Sequence, residues 1–180
     1  MKTTYTSTAI RLHWLIALGI VGTFAVGIYM HELPLSPDKL KIYAWHKWAG
    51  VTLFFLVLVR LGWRLTHQPP APPAGMPRWQ QQVAAAVHGL LYLLMLAIPL
   101  SGWLMSSAKG FPTVWFGLVA LPDLLDKNKE LGETLALVHQ FLNLSMAALV
   151  LAHVGAALKH HFIDRDDVLR RMLPQRKERS

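Results

Sequence analysis

The feature that most limits the fold of this chain is where charge is missing. Between Arg11 and Glu32 lie 20 uncharged residues (12–31), between Arg78 and Lys109 lie 30 (79–108), and between Glu133 and Lys159 lie 25 (134–158). A helix needs roughly 20 apolar residues to cross a hydrocarbon core about 30 Å thick. Each stretch is long enough. A fourth, 40–65, is interrupted, since only 12 residues (48–59) separate Lys47 from Arg60. Long basic side chains near helix ends can carry their charge out to the headgroups, however, and Trp45, Trp48 and Trp63 stand where interfacial aromatics are expected. The spacing predicts an all-α protein: a four-transmembrane-helix bundle with helices at about 8–31, 40–65, 79–107 and 134–161, forming one domain over 1–180.

Where the charge does sit sets an expected orientation. The N-terminus, the connection between helices two and three, and the C-terminus hold Lys2, Arg11, Arg60, Arg64, Arg78, Lys159, Arg165, Arg170, Arg171, Arg176, Lys177 and Arg179, twelve in all. The opposite side holds six: Lys39, Lys41, Lys47, Lys109, Lys127 and Lys129. Cytoplasmic loops carry the Lys/Arg excess, so both termini are expected to be cytoplasmic. A net charge of +8 beside a mean hydropathy of +0.34 fits that pattern better than it fits nucleic-acid binding, because the basic residues flank apolar runs instead of lining one polar face. No nucleic-acid partner is expected. The first apolar run is read as a retained helix and not a signal peptide, as "IYMHELPLS" offers no small-residue cleavage site. The chain has no cysteine, which removes thiolate-ligated haem, iron–sulfur clusters and covalently attached c-type haem.

Between the spans, "QPPAPPAGMP" (68–77) is a stiff spacer that cannot be helical and separates two helical hairpins. The longest segment on the opposite side, 108–133, mixes Trp115, Phe116, Leu118 and Leu121 with prolines and is expected to be a connector lying on the membrane surface. The tail "RDDVLRRMLPQRKERS" is expected to be solvated charge.

The histidines carry the chemistry. His139 and His153 are fourteen residues apart in one span; 14 × 100° falls 40° short of four full turns, so they share a helix face, about 21 Å apart in height. Given the topology, His13 near the start of helix one matches the depth of His153, and His46 near the start of helix two matches the depth of His139. An imidazole in hydrocarbon is costly without a partner. Two depth-matched pairs of neutral imidazoles suit two b-type haems, each flat, non-covalently held and ligated on both faces, which leaves one-electron transfer as the available chemistry. Zinc or copper would want three or four ligands clustered at one depth, and no Asp or Glu occurs inside the spans.

Other histidines are less determined. His88 lies near the depth of the His13/His153 pair and could bond a haem propionate, replace one of the ligands, or be a plain helix contact. Lys159, His160 and His161 are quinone-site candidates, or surface groups favoured at a helix C-terminus. His31 and His67 are read as loop residues. Gly19, Gly22, Gly27, Gly50 and Gly102 would let backbones approach one another or a flat ring closely. Pro99 is expected to kink helix three.

Four stretches, "RLHWLIAL", "WHKWAGVTLFFLVLVRLGWR", "HGLLYLLMLAIPLSGWLMSSAKG" and "LKHHFIDRDDVLRRM", together resemble the bacterial cytochrome b561 family over essentially the whole chain. The resemblance implies a bacterial inner-membrane diheme cytochrome with His13, His46, His139 and His153 as axial ligands. It also brings in related activities, since some members resemble superoxide:ubiquinone oxidoreductases that pass an electron from superoxide outside to quinone near the cytoplasmic side. Two functions follow as expectations. One is a self-contained oxidoreductase with ubiquinone as acceptor, in which Lys39, Lys41, Lys47 and Lys109 could steer an anion. The other is an electron-transfer subunit that docks a separate periplasmic or membrane redox partner through Trp115 and Phe116.

Overall fold

The computed structural model describes residues 4–73 and 75–174. Lys2, Arg176, Lys177 and Arg179 of the charge count, Ala74 of the spacer and the last six residues of the tail lie outside the described residues. Four long helices dominate: α1 (Ser7–Glu32), α2 (Pro37–Thr66), α3 (Arg78–Ala108) and α4 (Lys129–Lys159). All four are long and apolar enough to cross a membrane, and the protein is a four-span helical bundle.

Local chemistry sets the helix ends. The Thr6 hydroxyl caps α1 by accepting from the Ala9 N–H at 3.2 Å, and Ser36 caps α2 through the Lys39 N–H at 3.2 Å with Pro37 in the first turn. Helix α4 begins five residues before the expected 134. The Asn128 side chain accepts from the Leu131 N–H at 3.0 Å and Glu130 sits in the first turn, where the helix dipole favours an acid. At its other end the α-helix stops at Lys159. Residues His160–Asp164 form a wider π-helical turn, and Arg165, left-handed at φ 55°, follows. Thus 160 and 161 lie beyond the α-helix expected to contain them.

The helices pack as two hairpins, α1 with α2 and α3 with α4; α2 touches α3 less extensively, and α4 scarcely approaches α1 or α2 at the backbone level. Within the first hairpin, a Cβ on Gly19 would stand 2.5 Å from Leu53 Cδ2, so a larger residue there would have to displace the end of that leucine. Few apolar side chains are enclosed by protein: Ile10, Ile16, Val57, Leu94, Ala108 and Met146 are buried, while residues such as Leu18, Leu137 and Leu151 point outward, as suits lipid contact.

Both ends are covered. At the end opposite the termini, hereafter the loop end, residues 108–128 are more than a connector. Strands β1 (Val114–Trp115) and β2 (Val119–Ala120) pair antiparallel. Three indoles fix this segment: Trp48 Nε1 donates to the Val114 carbonyl (2.6 Å), Trp115 Nε1 to Thr52 Oγ1 (3.2 Å) and Trp103 Nε1 to the Pro122 carbonyl (3.0 Å). Thr52 lies six residues into the span from His46, so the hairpin reaches about 9 Å along α2. At the terminal end, the described part of the tail is docked and not free in solvent. Trp14 Nε1 donates to the Met172 carbonyl (2.7 Å), and Arg171 donates to the Ala71 carbonyl (2.7 Å) while pairing with Asp167 (2.8 Å).

Candidate functional site

The sequence-predicted histidines meet in two clusters. At the loop end His46 of α2 faces His139 of α4, with ring centroids 6.5 Å apart and planes at 82°. Ser101 fixes one of these rings. Its Oγ donates to the Ile98 carbonyl at 2.8 Å and so has only a lone pair to offer His139 Nδ1 at 2.9 Å. His139 must then carry its proton on Nδ1, which leaves the Nε2 lone pair free. Asn143 adds a bond to the His139 carbonyl at 2.7 Å. Glycines give both rings room: a Cβ on Gly102 would lie 3.1 Å from His139 Cε1, and one on Gly27 3.4 Å from His46 Cε1. The buried His46 Nδ1 has no hydrogen-bond partner among the described residues.

At the terminal end three histidines gather. His13 of α1 and His153 of α4 have centroids 6.3 Å apart with planes at 70°, and His88 of α3 stands 5.3 Å from His153. Arg60 of α2 reaches toward the same region. Its Nε donates to Tyr92 Oη at 3.0 Å and its Nη1 to the Ala9 carbonyl at 3.1 Å. Arg64, one turn on, places its guanidinium 5.7 Å from the centre of the Tyr92 ring. Sequence reasoning used both arginines for topology only.

The remaining candidates separate. Lys159 Nζ is held by both Asp164 oxygens (2.8 and 2.6 Å), and His160 Nδ1 by Asp166 (2.6 Å) with Asp164 at 3.2 Å. His161 packs on Phe162 and its buried Nδ1 has no hydrogen-bond partner among the described residues. His160, Asp164 and Asp166 bring ligand atoms within 4.8 Å of one another, but the Lys159 ammonium already neutralises Asp164. His31 is not a loop residue, since it lies in the last turn of α1; His67 follows the end of α2 as its C-cap, stacked on Trp63 at 3.9 Å. Of the lysines expected to steer an anion, Lys39 bonds the His31 and Leu33 carbonyls, Lys41 pairs with Asp38, and Lys47 ties down the Phe111 and Pro112 carbonyls. Of these four, only Lys109 lacks a side-chain hydrogen bond among the described residues.

The donor set suits a flat, bis-imidazole metal group. Two imidazoles on opposite sides of one metal have centroids about 6 Å apart, because each metal–nitrogen bond is about 2 Å and the ring centre lies about 1 Å beyond the nitrogen. The separations of 6.3 and 6.5 Å match that span, and the His88–His153 separation of 5.3 Å is shorter. Each matching pair also joins α4 to a helix whose backbone it scarcely approaches, as a plate between them requires.

Comparison with known proteins points the same way. A family model described as prokaryotic cytochrome b561 matches residues 4–175. The chain is 37% identical over 162 residues to cytochrome b561 homolog 2 of Escherichia coli K12, covering 89% of this chain and 86% of that protein. It is 30% identical over 174 residues to cytochrome b561 homolog 1 of the same organism (96% and 98% covered). A protein of Yersinia pestis named probable superoxide oxidase CybB is 28% identical over 182 residues (98% and 99% covered).

Proposed function

Since the chain belongs to the prokaryotic cytochrome b561 family, and is therefore a multi-pass bacterial inner-membrane electron-transfer protein that uses b-type haem, we propose that it moves single electrons across the membrane between an outer-side donor and ubiquinone. In this reading the terminal end is cytoplasmic, as the Lys/Arg bias favours. Two b haems are held, one by His46 and His139 at the loop end and one by His13 and His153 at the terminal end. A haem ligated on both faces supplies reversible one-electron exchange and no open position for a substrate.

The observation that carries the proposal is the pair of imidazole spans, 6.5 and 6.3 Å, on two levels of one α4 face. The protein's own part is positional. Ser101 keeps His139 in the tautomer whose Nε2 can ligate, and the two levels, about 21 Å apart by helix rise, divide the crossing into shorter gaps. Among the quinone candidates at the terminal end, His161 has the unpartnered nitrogen, while Lys159 and His160 are engaged by Asp164 and Asp166. Superoxide as donor is supported by the likeness to the Yersinia pestis protein.

A second reading, an electron-transfer subunit without its own substrate site, is favoured by the engagement of Lys39, Lys41 and Lys47 in local bonds and by the exposed Phe116 and Leu118 on the hairpin. The first test is a reduced-minus-oxidised visible spectrum of the purified protein with a haem assay per chain. Two low-spin b haems are expected, and one or none would overturn the diheme proposal. Superoxide-driven quinone reduction by the purified protein alone then separates the two readings; its absence, with copurification of a redox partner, selects the subunit.

A further inference from the structure

Helix α2 carries a register that mirrors α4. On α4, His139 and His153 are fourteen residues apart and share a face at two depths; on α2 the same fourteen residues separate His46 from Arg60. The α2 face that presents an imidazole to the loop-end cluster therefore presents a guanidinium at the depth of the terminal-end cluster. Arg60 is half-buried, and it lies within electrostatic reach of His13, His88 and His153.

Its hydrogen bonds do not neutralise it. A guanidinium has five N–H donors. Two of these are accounted for, by the Tyr92 hydroxyl and the Ala9 carbonyl, both uncharged acceptors. Neither Arg60 nor Arg64 forms a salt bridge with a carboxylate among the described residues, where seven salt bridges occur elsewhere. A cation inside a span without a counter-charge is costly, and such residues pair with an anion or line a ligand path. Tyr92 holds both arginines in position, accepting from Arg60 through its hydroxyl and offering its ring face to Arg64.

We infer that Arg60 and Arg64, braced by Tyr92, form a carboxylate-binding site that takes the two propionates of the terminal-end haem. The inference rests on the haem reading of that cluster and goes beyond it, since it assigns the cofactor's acidic edge to α2 and its facing side. Planar guanidinium forks match carboxylate geometry, and a charge-assisted bond of this kind is about twice as strong as a neutral one. The loop-end cluster differs: Lys47, the cation next to His46, has all three of its donors directed to Ser106 Oγ and the Phe111 and Pro112 carbonyls, where Arg60 uses two of five. A positive charge beside a haem favours the reduced state, so the two haems should differ in potential with the terminal-end one held up by Arg60.

The test is a redox titration of the purified holoprotein as wild type, R60Q, R60K and R64Q, with infrared redox-difference spectra of the same samples. R60Q should make the terminal-end haem about tenfold harder to reduce, which is about 59 mV for one electron. It should also shift the propionate carboxylate bands and leave the other haem in place. R60K, which keeps the charge without the fork, should restore most of the potential but not the bands. If R60Q fails to assemble, R64Q supplies the same reading with a smaller shift. Both haems present with unchanged potentials and bands in R60Q or R64Q would overturn the site while leaving the diheme proposal standing. A wild-type protein with no terminal-end haem would overturn both.

Discussion

At the loop end, His46 and His139 face each other among neutral partners: a serine hydroxyl, two glycines and an asparagine amide that bonds the backbone. At the terminal end, His153 has two imidazole neighbours and an arginine whose bonds among the described residues go to a phenol and a carbonyl. One helix, α4, supplies a histidine to each through the same fourteen-residue spacing. The difference lies in the helices opposite. Where α2 and α3 meet α4 at the loop end, they offer close backbone and one hydroxyl, which orients the His139 ring. At the other level they offer charge and a spare imidazole, so the surroundings can set a potential but leave the ligand choice less tightly defined.

The largest effects should come from removing the imidazoles themselves. His46→Ala and His139→Ala are each expected to lose the loop-end haem and keep the other, read as haem per chain and as loss of one component in the redox titration. His153→Ala should do the converse. His13→Ala should match His153→Ala, whereas His88→Ala should retain both haems, because only His13 stands from His153 at the span of two opposed ligands. Retention in His13→Ala with loss in His88→Ala would exchange their roles and show that the terminal end rearranges on loading.

How much of this contrast could be read from the sequence depends on which interactions follow helical arithmetic. Three of the spans are visible as gaps between charges, the fourth only through basic residues and tryptophans near its ends, and the two histidine levels as a fourteen-residue spacing combined with topology. Arg60 stands at the same spacing from His46, yet a basic residue near a span end reads equally well as a topology marker, and only Tyr92 and Ala9 show where it turns. Ser101 was invisible because its bond to His139 crosses between α3 and α4, 38 residues apart. The early start of α4 was missed because tracking uncharged residues stops at Glu133, while the Asn128 cap is a polar signal. The hairpin over the loop end depends on indole N–H bonds to distant carbonyls and one hydroxyl, which no local pattern encodes.

An intermediate effect should separate the two levels by packing. On Gly102 a Cβ would lie 3.1 Å from His139 Cε1, so Gly102→Val is expected to displace that ring and deplete the loop-end haem alone. Gly27→Ala, whose Cβ would sit 3.4 Å from His46 Cε1, should be nearly silent. Loss of both haems in Gly102→Val would mean that the bundle as a whole had yielded. Ser101→Ala should be milder. With the oriented hydroxyl gone, the loop-end haem should be released about tenfold faster, the low end of what loss of such a supporting bond costs a metal site. Ser101→Thr should restore retention, and a variant that changed the terminal-end haem instead would contradict the assignment of Ser101 to His139.

The smallest expected effect concerns the covers over the two ends. The described tail is held at the terminal end by bonds that include two carboxylates: Asp166 bonds His160 and the Val168 N–H, and Asp167 pairs with Arg171, which donates to the Ala71 carbonyl, beside the Trp14 bond to Met172. The hydrogen bond from Arg171 holds the Asp167 carboxyl below the ordinary carboxylate range. A group depressed on folding stabilises fully above its unfolded pKa, and that contribution is lost as pH falls through the lower, folded value. Acidification below the usual carboxylate range should therefore loosen the tail. Because the Asp167 side chain is 54% exposed, solvent screening limits the change in amide-exchange protection over 165–174 to a few-fold. Asp167→Asn should give part of that loss at neutral pH, since the Asp166 bond to His160 is left in place. Among the described residues no hydrogen bond that fastens the loop-end hairpin involves a carboxylate, so protection over 113–121 should stay level in the same samples. A parallel loss at both ends would point to opening of the whole bundle and remove Asp167 from the account; a loss confined to 165–174 makes the terminal end the one whose cover responds to pH.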